Sequence, residues 1–209
     1  MTGPRYDAVL FDLLTALLDS WTLWNDVAGG PEPGLAWRRA YLEITYGCGA
    51  YRPYEDLVAE AAAAAGLPPG RAPALAARWS ELAPWPEAPA ALASLAGRAK
   101  LGVVTNCSVT RGRAAAARAA PQGKPFDVVV TAEEAGFYKP RREPYACALE
   151  ELGASPARTL FVAGSAADVP GASALGMPVY WHNRIGARAV GDASPTFYAR
   201  SLKPLPGVV

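Results

Sequence analysis

The stretch AVLFDLLTALLDSW, residues 8–21, decides how the rest of this chain is interpreted. Its first half is an apolar run that predicts a buried strand, and the run is interrupted once, by Asp12. An aspartate often caps a helix or forms a turn. Asp19 and Ser20 already provide that signal for the helix that follows. Asp12 is therefore a candidate for chemistry at the end of a strand.

Similar short runs, rich in β-branched and aromatic residues, recur along the chain, and helical patterns separate most of them. Continuous apolar strands that alternate with helices are typical of a parallel sheet covered on both faces. The sequence therefore predicts an α/β fold with a doubly wound, Rossmann-like parallel sheet. The predicted strands are 7–12, 100–105, 126–131, 159–163 and 178–182, and the predicted helices between them are 87–98, 110–120, 142–153 and 168–176.

The interval between the first two strands is too long for a simple crossover, because a strand–helix–strand unit needs only roughly thirty residues. It contains amphipathic patterns and is bounded by stretches rich in Gly and Pro. We expect a small helical cap inserted after the first strand. The predicted cap helices are 35–46, 54–66 and 72–82; the predicted domains are a cap at 19–83 and a core at 1–18 and 84–209.

The bulk composition excludes several classes of protein. Lys plus Arg number 20 against 19 for Asp plus Glu, a net charge of +1, which argues against nucleic-acid or membrane-surface partners. No run approaches the ~18 apolar residues of a membrane span. The first residues lack the pattern of a signal peptide, and the three cysteines lack zinc or disulfide spacing. We expect a cytoplasmic protein with reduced thiols.

Polar side chains follow several predicted strands, at the edge where a doubly wound sheet binds its ligands. Asp12 follows the first strand, and Thr105 and Asn106 follow the second. Lys139 lies beyond the third strand, and Asp168 lies beyond the fourth. A carboxylate that a nearby ammonium keeps ionised is suited to nucleophilic catalysis.

These positions fall in four ordered signatures, in which the chain resembles the haloacid dehalogenase superfamily over nearly its whole length. The resemblance implies a Rossmann-like core with a helical cap, and Asp12 as the nucleophile that forms a covalent aspartyl ester. It also implies that Thr105 orients Asp12, that Lys139 neutralises it, and that Asp168 is the acid of the last motif. The signatures are VLFDLLTALLDS, LGVVTNCS, EEAGFYKPRREPY and TLFVAGSAADVPGASALGM.

Most members of the superfamily are magnesium phosphatases, whose first motif resembles D-x-D. The second Asp protonates the leaving alkoxide, and Leu14 stands in its place here. A halide needs no such acid, because it is stable as the free anion. Ala163 and Gly164 replace the phosphatase Gly-Asp pair, which leaves Asp168 as the single acid of that motif. We therefore expect no metal and no other cofactor.

The 2-haloacid dehalogenase subfamily is metal-free, and its Asp displaces halide by direct attack on C2. The stretch WRRAYLE is similar to its W-R-x-x-x-L-E motif and makes Arg38 the candidate for binding a substrate carboxylate. Asn106 matches the asparagine of its S-N-G motif, and Tyr145 matches a tyrosine near the lysine, so the resemblance implies that both contact the substrate. Ser165 replaces an asparagine and Leu14 replaces a tyrosine, and we expect both at the substrate site.

The glycine and threonine that follow the subfamily's nucleophile become Thr15 and Ala16 here, so we expect Asp12 to lose a hydroxyl hydrogen bond. The resulting prediction is a metal-independent hydrolase of small anionic 2-haloacids, and the resemblance is compatible with a homodimer. Two alternatives stay open. One is a magnesium phosphatase of a small phosphorylated metabolite, and the other is a catalytically silent relative that binds a small acid or a protein. The turn from Tyr46 to Glu55 has no assigned role.

Overall fold

The computed structural model describes residues 5–120 and 126–209. Within these ranges the chain forms a parallel sheet in the order β3-β2-β1-β4-β5-β6. The predicted doubly wound α/β fold is therefore confirmed. The strands are β1 (Ala8–Asp12), β2 (Lys100–Thr105), β3 (Val128–Thr131), β4 (Thr159–Ala163), β5 (Val179–His182) and β6 (Phe197–Ala199).

The last strand, β6, was not predicted from the sequence. It is three residues long and only partly buried, so it lacks the apolar run that marks the other strands. Residues 1–4 and 121–125, which the sequence analysis assigns to the core, lie outside the described residues.

Helices cover both faces of the sheet, and the alternating side chains of β1 explain why. Val9 and Phe11 point into one apolar cluster, and Ala8 and Leu10 point into another. Helices α5 and α6 cover the first cluster, and α8 and α9 cover the second. The core helices are α5 (Ala88–Leu95), α6 (Val109–Ala119), α7 (Ala132–Ala135), α8 (Arg142–Leu152) and α9 (Asp168–Ser173).

The strand order places a crevice at the carboxyl end of β1. From β1 the chain proceeds outward through β2 and β3, then returns to the other side of β1 to form β4. Ligands of doubly wound sheets bind outside the carboxyl ends of the strands at such a reversal. Asp12 is the last residue of β1, and Gly164 directly follows β4. Both therefore lie at this crevice.

Between β1 and α5 the chain forms a helical layer whose helices pack through a row of aromatic rings. The centroids of Trp24 and Trp37 are 4.6 Å apart, and Tyr41 lies 5.7 Å from both Trp24 and Tyr54. Tyr54 in turn lies 5.9 Å from Trp79. Such ring pairs stabilise the layer beyond simple burial. The helices are α1 (Ser20–Ala28), α2 (Pro31–Gly47), α3 (Tyr54–Ala64) and α4 (Arg71–Ala77).

The chain enters and leaves this helical layer at adjacent points. Leu18 forms an antiparallel bridge with Pro84, and the Asp19 amide donates to the carbonyl of Ala83 at 2.8 Å. Asp19 also caps α1, as its sequence position indicates, by accepting from the amide of Thr22 at 3.1 Å. The predicted domain boundaries fall at this pair of crossings and remain a prediction. No helix in the described ranges has the length and apolar character to cross a membrane.

The segment after Asp12, Leu13–Leu17, is a π-helix. The Leu18 amide donates to the Leu13 carbonyl at 2.9 Å, which closes the wide turn. Such turns are rare and occur frequently at functional sites.

Two aromatic side chains outside this segment hold its carbonyl groups in place. The Trp85 indole donates to the Thr15 carbonyl at 3.0 Å. His182 Nδ1 lies 3.0 Å from the Ala16 carbonyl. Trp85 comes from the linker that follows the cap, and His182 ends β5. The π-helix is therefore anchored to both the core and the linker.

Gly164 provides a test of this packing. A Cβ there would lie 2.4 Å from the Thr15 hydroxyl and 2.4 Å from the Ala16 amide nitrogen. We expect Gly164→Ala to lower the free energy of unfolding by about 2 kcal/mol, as overpacking does. Gly47→Ala is the control, because the methyl group that this substitution adds would have no other described residue within 4 Å beyond its chain neighbours and the backbone of its own helix. Denaturant unfolding measures both, and equal effects would contradict the prediction.

Candidate active site

A cavity of about 720 Å³ opens at the carboxyl ends of β1 and β4, beneath the cap. Cavities of this size bury small-molecule ligands. All of the predicted site residues line it except Tyr145. Those that line it are Asp12, Leu14, Arg38, Thr105, Asn106, Lys139, Ser165 and Asp168.

One ammonium bridges two buried carboxylates at the centre of the site. Lys139 Nζ donates to Asp12 Oδ1 at 2.9 Å and to Asp168 Oδ2 at 3.0 Å. All three side chains are buried. Because the single positive charge lies between two negative ones, neither carboxylate is buried without a counter-charge.

The charges of this triad set its protonation. Burial alone raises the pKa of Asp12, but the Lys139 ammonium and the Thr15 hydrogen bonds outweigh it and leave that pKa below its ordinary value. Burial and the neighbouring Asp12 charge hold the pKa of Asp168 above its ordinary value, despite Lys139. Burial lowers the pKa of Lys139, but Asp12 and Asp168 raise it by more, so the pKa of Lys139 lies above its ordinary value. Asp12 is therefore ionised and Lys139 charged at neutral pH.

The two oxygens of Asp12 have different surroundings. Oδ2 accepts three hydrogen bonds, from the Thr15 amide at 3.0 Å, the Thr15 hydroxyl at 2.6 Å and the Ala16 amide at 3.1 Å. Oδ1 accepts from Lys139. Oδ2 is thus held in a pocket of donors, and Oδ1 is the oxygen with lone pairs to spare.

The prediction that Asp12 loses a hydrogen bond from a hydroxyl is wrong. The Thr15 hydroxyl makes that bond, although Thr15 stands one position before the subfamily's threonine. The π-helix is the physical reason, since its wide turn brings residue 15 back over the carboxylate that precedes it. No local sequence pattern predicts a π-helix. Alignment with the subfamily's motif therefore gave no indication that the Thr15 hydroxyl reaches Asp12.

Arg38 is a buried cation that forms no ion pair with a carboxylate among the described residues, although the charges of Asp12 and Asp19 act on it at longer range. Its Nη2 donates to the hydroxyl of Ser20 at 2.9 Å and to the Ser20 carbonyl at 3.2 Å. Its guanidinium lies 4.1 Å from the ring centroid of Trp21 and 4.6 Å from that of Trp24. The buried Nε has no hydrogen-bond partner within the described part of the chain. Burial lowers the pKa of Arg38 to about 10, which still leaves it charged at neutral pH.

The polar residues at the end of β2, Thr105 and Asn106, form hydrogen bonds with residues other than Asp12. The Asn106 amide donates to the Lys139 carbonyl at 3.0 Å, and its oxygen accepts from the Lys139 amide at 2.7 Å. Asn106 thereby fixes the backbone of the lysine. The Thr105 hydroxyl lies 3.4 Å from the Cys107 sulfur, and no hydrogen bond joins it to Asp12 in the described structure. The orienting role of Thr105 and the substrate contact of Asn106 remain predictions.

Tyr145 lies behind the site rather than in the cavity. Its hydroxyl donates to Asp168 Oδ1 at 2.6 Å, and its ring meets that of Phe161 edge-on at 5.1 Å. In this structure Tyr145 positions Asp168 and does not reach the cavity, so the geometry offers no support for the predicted substrate contact.

Tyr46, at the end of α2, lines the cavity and was not among the predicted site residues. Burial of its hydroxyl raises the pKa to about 12, against the opposing effect of a hydrogen bond with Ser165, so Tyr46 keeps its proton, although the residue as a whole is 41% exposed. Its segment, Tyr46–Glu55, is unusual in sequence but carries no motif that announces a site. Ser20, the partner of Arg38, was missed because its position also suits a helix start.

Removing the bridging ammonium should shift the protonation of Asp12. In Lys139→Met the charge that lowers the Asp12 pKa is gone, whereas burial and the Asp168 charge remain and both raise it. We expect the Asp12 pKa to rise above that of the wild type. Carbon-13 NMR titration of the aspartate carboxyls measures this. An Asp12 pKa equal to that of the wild type would contradict the bridge.

Thr15 allows the hydroxyl bond to be tested separately. Thr15→Val keeps the shape of the side chain but removes the donor, so we expect the Asp12 pKa to rise. We also expect unfolding to become easier by about 1–3 kcal/mol, because a buried acceptor loses a partner. Thr15→Ser retains the hydroxyl and should stay near the wild type in both measurements. Similar values for Val and Ser would count against the bond.

Comparison with known proteins agrees with this geometry. Residues 6–176 match the family model of haloacid dehalogenase-like hydrolases. Haloacetate dehalogenase H-2 of Moraxella sp. (strain B) is 27% identical over 197 residues, 87% of this chain and 88% of that protein. The (S)-2-haloacid dehalogenase of Xanthobacter autotrophicus is 29% identical over 198 residues, 88% of this chain and 77% of that protein.

A solved structure gives the same result. L-2-haloacid dehalogenase from Xanthobacter autotrophicus superposes with a TM-score of 0.85 at 26% identity, covering 97% of this chain and 98% of that one. The fold, the family match and the triad of charges at the sheet edge therefore agree. The chain belongs to the haloacid dehalogenase-like hydrolase family and is similar over most of its length to (S)-2-haloacid dehalogenases.

Proposed function

We propose that this protein hydrolyses (S)-2-haloacids without a metal, through a covalent ester on Asp12. The observation that carries the proposal is Arg38, a buried cation that lines the same cavity as the ionised Asp12 and has no carboxylate partner among the described residues. A buried charge that no direct ion pair neutralises is costly, so such a site favours an anionic ligand. The names of the relatives supply the class of anion, a 2-haloacid.

In the first step the substrate carboxylate binds the guanidinium of Arg38, which is suited to carboxylates. Asp12 Oδ1 attacks C2 from the side opposite the halogen, a carbon–oxygen bond forms, and the halide leaves with the bonding electrons. Oδ2 remains in its pocket of three donors. Because backside attack inverts C2, an (S)-2-haloacid yields an (R)-2-hydroxy acid.

Leu14 fits this chemistry, because a departing halide needs no proton. An alkoxide leaving group would need a general acid at that position. The departing anion instead requires positive charge nearby, and Arg38 and Lys139 both line the cavity.

In the second step a water attacks Cγ of the Asp12 ester, and negative charge develops on Oδ2. The amides of Thr15 and Ala16 already point at this atom, which is the arrangement of an oxyanion hole. Asp168 accepts the proton of the water, a role favoured by its raised pKa. The acyl–oxygen bond then breaks, and the departing alkoxide takes the proton from Asp168 to leave as the hydroxy acid. Asp12 loses the remaining proton of the water to solvent, which restores its carboxylate.

The position of Lys139 supports the metal-free form of the proposal. Its ammonium already donates to an oxygen of Asp12 and to an oxygen of Asp168. A magnesium ion that used these two carboxylates would have to share their oxygens with a positive charge about 3 Å away.

The test is chloride release from (S)-2-chloropropionate with EDTA present throughout. We expect turnover by the wild type and a loss of at least about a thousandfold in Asp12→Asn, because the amide cannot act as the nucleophile. A single turnover in water enriched in oxygen-18 should place the label in the Asp12 carboxylate and leave the product hydroxyl unlabelled. Label in the product after that first turnover would contradict the ester.

Two other results would replace the proposal. Magnesium-dependent phosphate release that EDTA abolishes, with no release of halide, would establish the phosphatase alternative. Binding of small acids with neither activity, and equal affinity in Asp12→Asn, would establish a silent binding protein.

A further inference from the structure

The mouth of the active-site cavity is apolar and exposed. Of the five large apolar side chains that are exposed in the described structure, four line this one cavity. Monomeric proteins rarely gather exposed apolar side chains in one place without a ligand or partner for them. The four, here named the apolar rim, are Leu35 (37% exposed), Tyr46 (41%), Ile185 (43%) and Val190 (51%).

Cap and core both contribute to the apolar rim. Leu35 and Tyr46 belong to α2, whereas Ile185 and Val190 belong to the loop after β5. Asn183 braces that loop, because its side-chain oxygen accepts from the Ala187 amide at 2.7 Å and its side-chain amide donates to the Ala187 carbonyl at 2.9 Å. The rim is thus held in a defined position across the cavity mouth.

The cavity is much larger than the smallest substrates of this chemistry. A volume of about 720 Å³ lies within the range that encloses drug-sized molecules, whereas chloropropionate has only a handful of non-hydrogen atoms. Asp12 and Arg38 bind the reacting end of the substrate under the proposed function. Trp21, which stacks on Arg38, also lines the cavity. The space from there to the apolar rim is left for a substituent of the substrate.

We infer that the preferred substrates are 2-haloacids with an apolar chain at C2, several carbons long, that lies along the apolar rim. This inference rests on the proposed function. The rim is continuous with the cavity that contains Asp12, which favours the substrate over a separate partner as its occupant. Burial of the chain removes apolar surface from water on both the substrate and the rim.

The test uses a series of (S)-2-chloro acids of increasing chain length: propionate, butyrate, hexanoate and octanoate. Transfer of a methylene from water to an apolar surface corresponds to about a threefold to fourfold gain in affinity. We expect kcat/KM for chloride release to rise by about that factor per carbon until the chain reaches solvent. A kcat/KM that stays constant or falls as the chain lengthens would overturn the inference. Asp12-dependent release from chloropropionate would then leave the proposed function standing.

A pair of double variants tests the rim itself. In Ile185→Thr with Val190→Thr the side chains stay branched but become polar, and we expect the ratio of kcat/KM for chlorooctanoate to that for chloropropionate to fall about tenfold. In Ile185→Leu with Val190→Leu the rim stays apolar, and the ratio should stay within about twofold of the wild type. Equal ratios in both double variants would overturn the inference.

A binding measurement separates the inference from the catalytic proposal. The affinity of the Asp12→Asn protein for unreactive (R)-2-hydroxy acids of the same lengths, measured by calorimetry, should increase along the series. If it does so while no halide is released by the wild type, the proposed function fails but the chain-binding rim stands. If the affinity does not depend on chain length, the rim is not a substrate site. The same conclusion follows if the double threonine variant changes the oligomeric state of the protein but not the ratio of kcat/KM for chlorooctanoate to that for chloropropionate.

Discussion

The buried carboxylate of Asp12 is the constraint to which the surrounding structure responds. Asp12 is buried, and burial favours the neutral acid, yet its pKa stays below the ordinary value so that it is ionised at neutral pH. Lys139 resolves this conflict by bridging Asp12 and Asp168. The surrounding contacts support the bridge: Asn106 holds the lysine backbone and Tyr145 holds Asp168.

The π-helix links this charge arrangement to the rest of the fold. It directs two amides and one hydroxyl at Asp12 Oδ2, and its own carbonyls are held by Trp85 and His182. Gly164 lies so close to it that no side chain fits. Neighbouring strands and the linker that follows the cap thus hold the donors in place before any substrate binds, which is the condition for electrostatic catalysis.

The cavity has a polar end and an apolar end, and the cap contributes to both through α2. Arg38 on this helix supplies positive charge beside Asp12, and Leu35 and Tyr46 on the same helix supply part of the apolar rim. A single helix therefore lines both the polar and the apolar end of the cavity. The loop after β5 completes the rim from the core, so both parts of the molecule surround the cavity.

Local sequence patterns were enough to predict the parallel sheet, the inserted helical segment, and Asp12, Lys139 and Asp168 at one edge of the sheet. Arg38 was predicted only from the resemblance to the 2-haloacid dehalogenases. Apolar periodicity and motif spacing are local properties, and the carboxyl ends of parallel strands meet at one edge in any such sheet. The short edge strand β6 was not predicted, because it has no apolar run.

Other features emerged only from the folded chain. The Thr15 hydroxyl reaches Asp12, Tyr145 lies behind Asp168, and residues as distant in sequence as Leu35 and Val190 form one rim. These outcomes depend on the width of a helical turn and on packing between segments far apart in the chain, which no local pattern records.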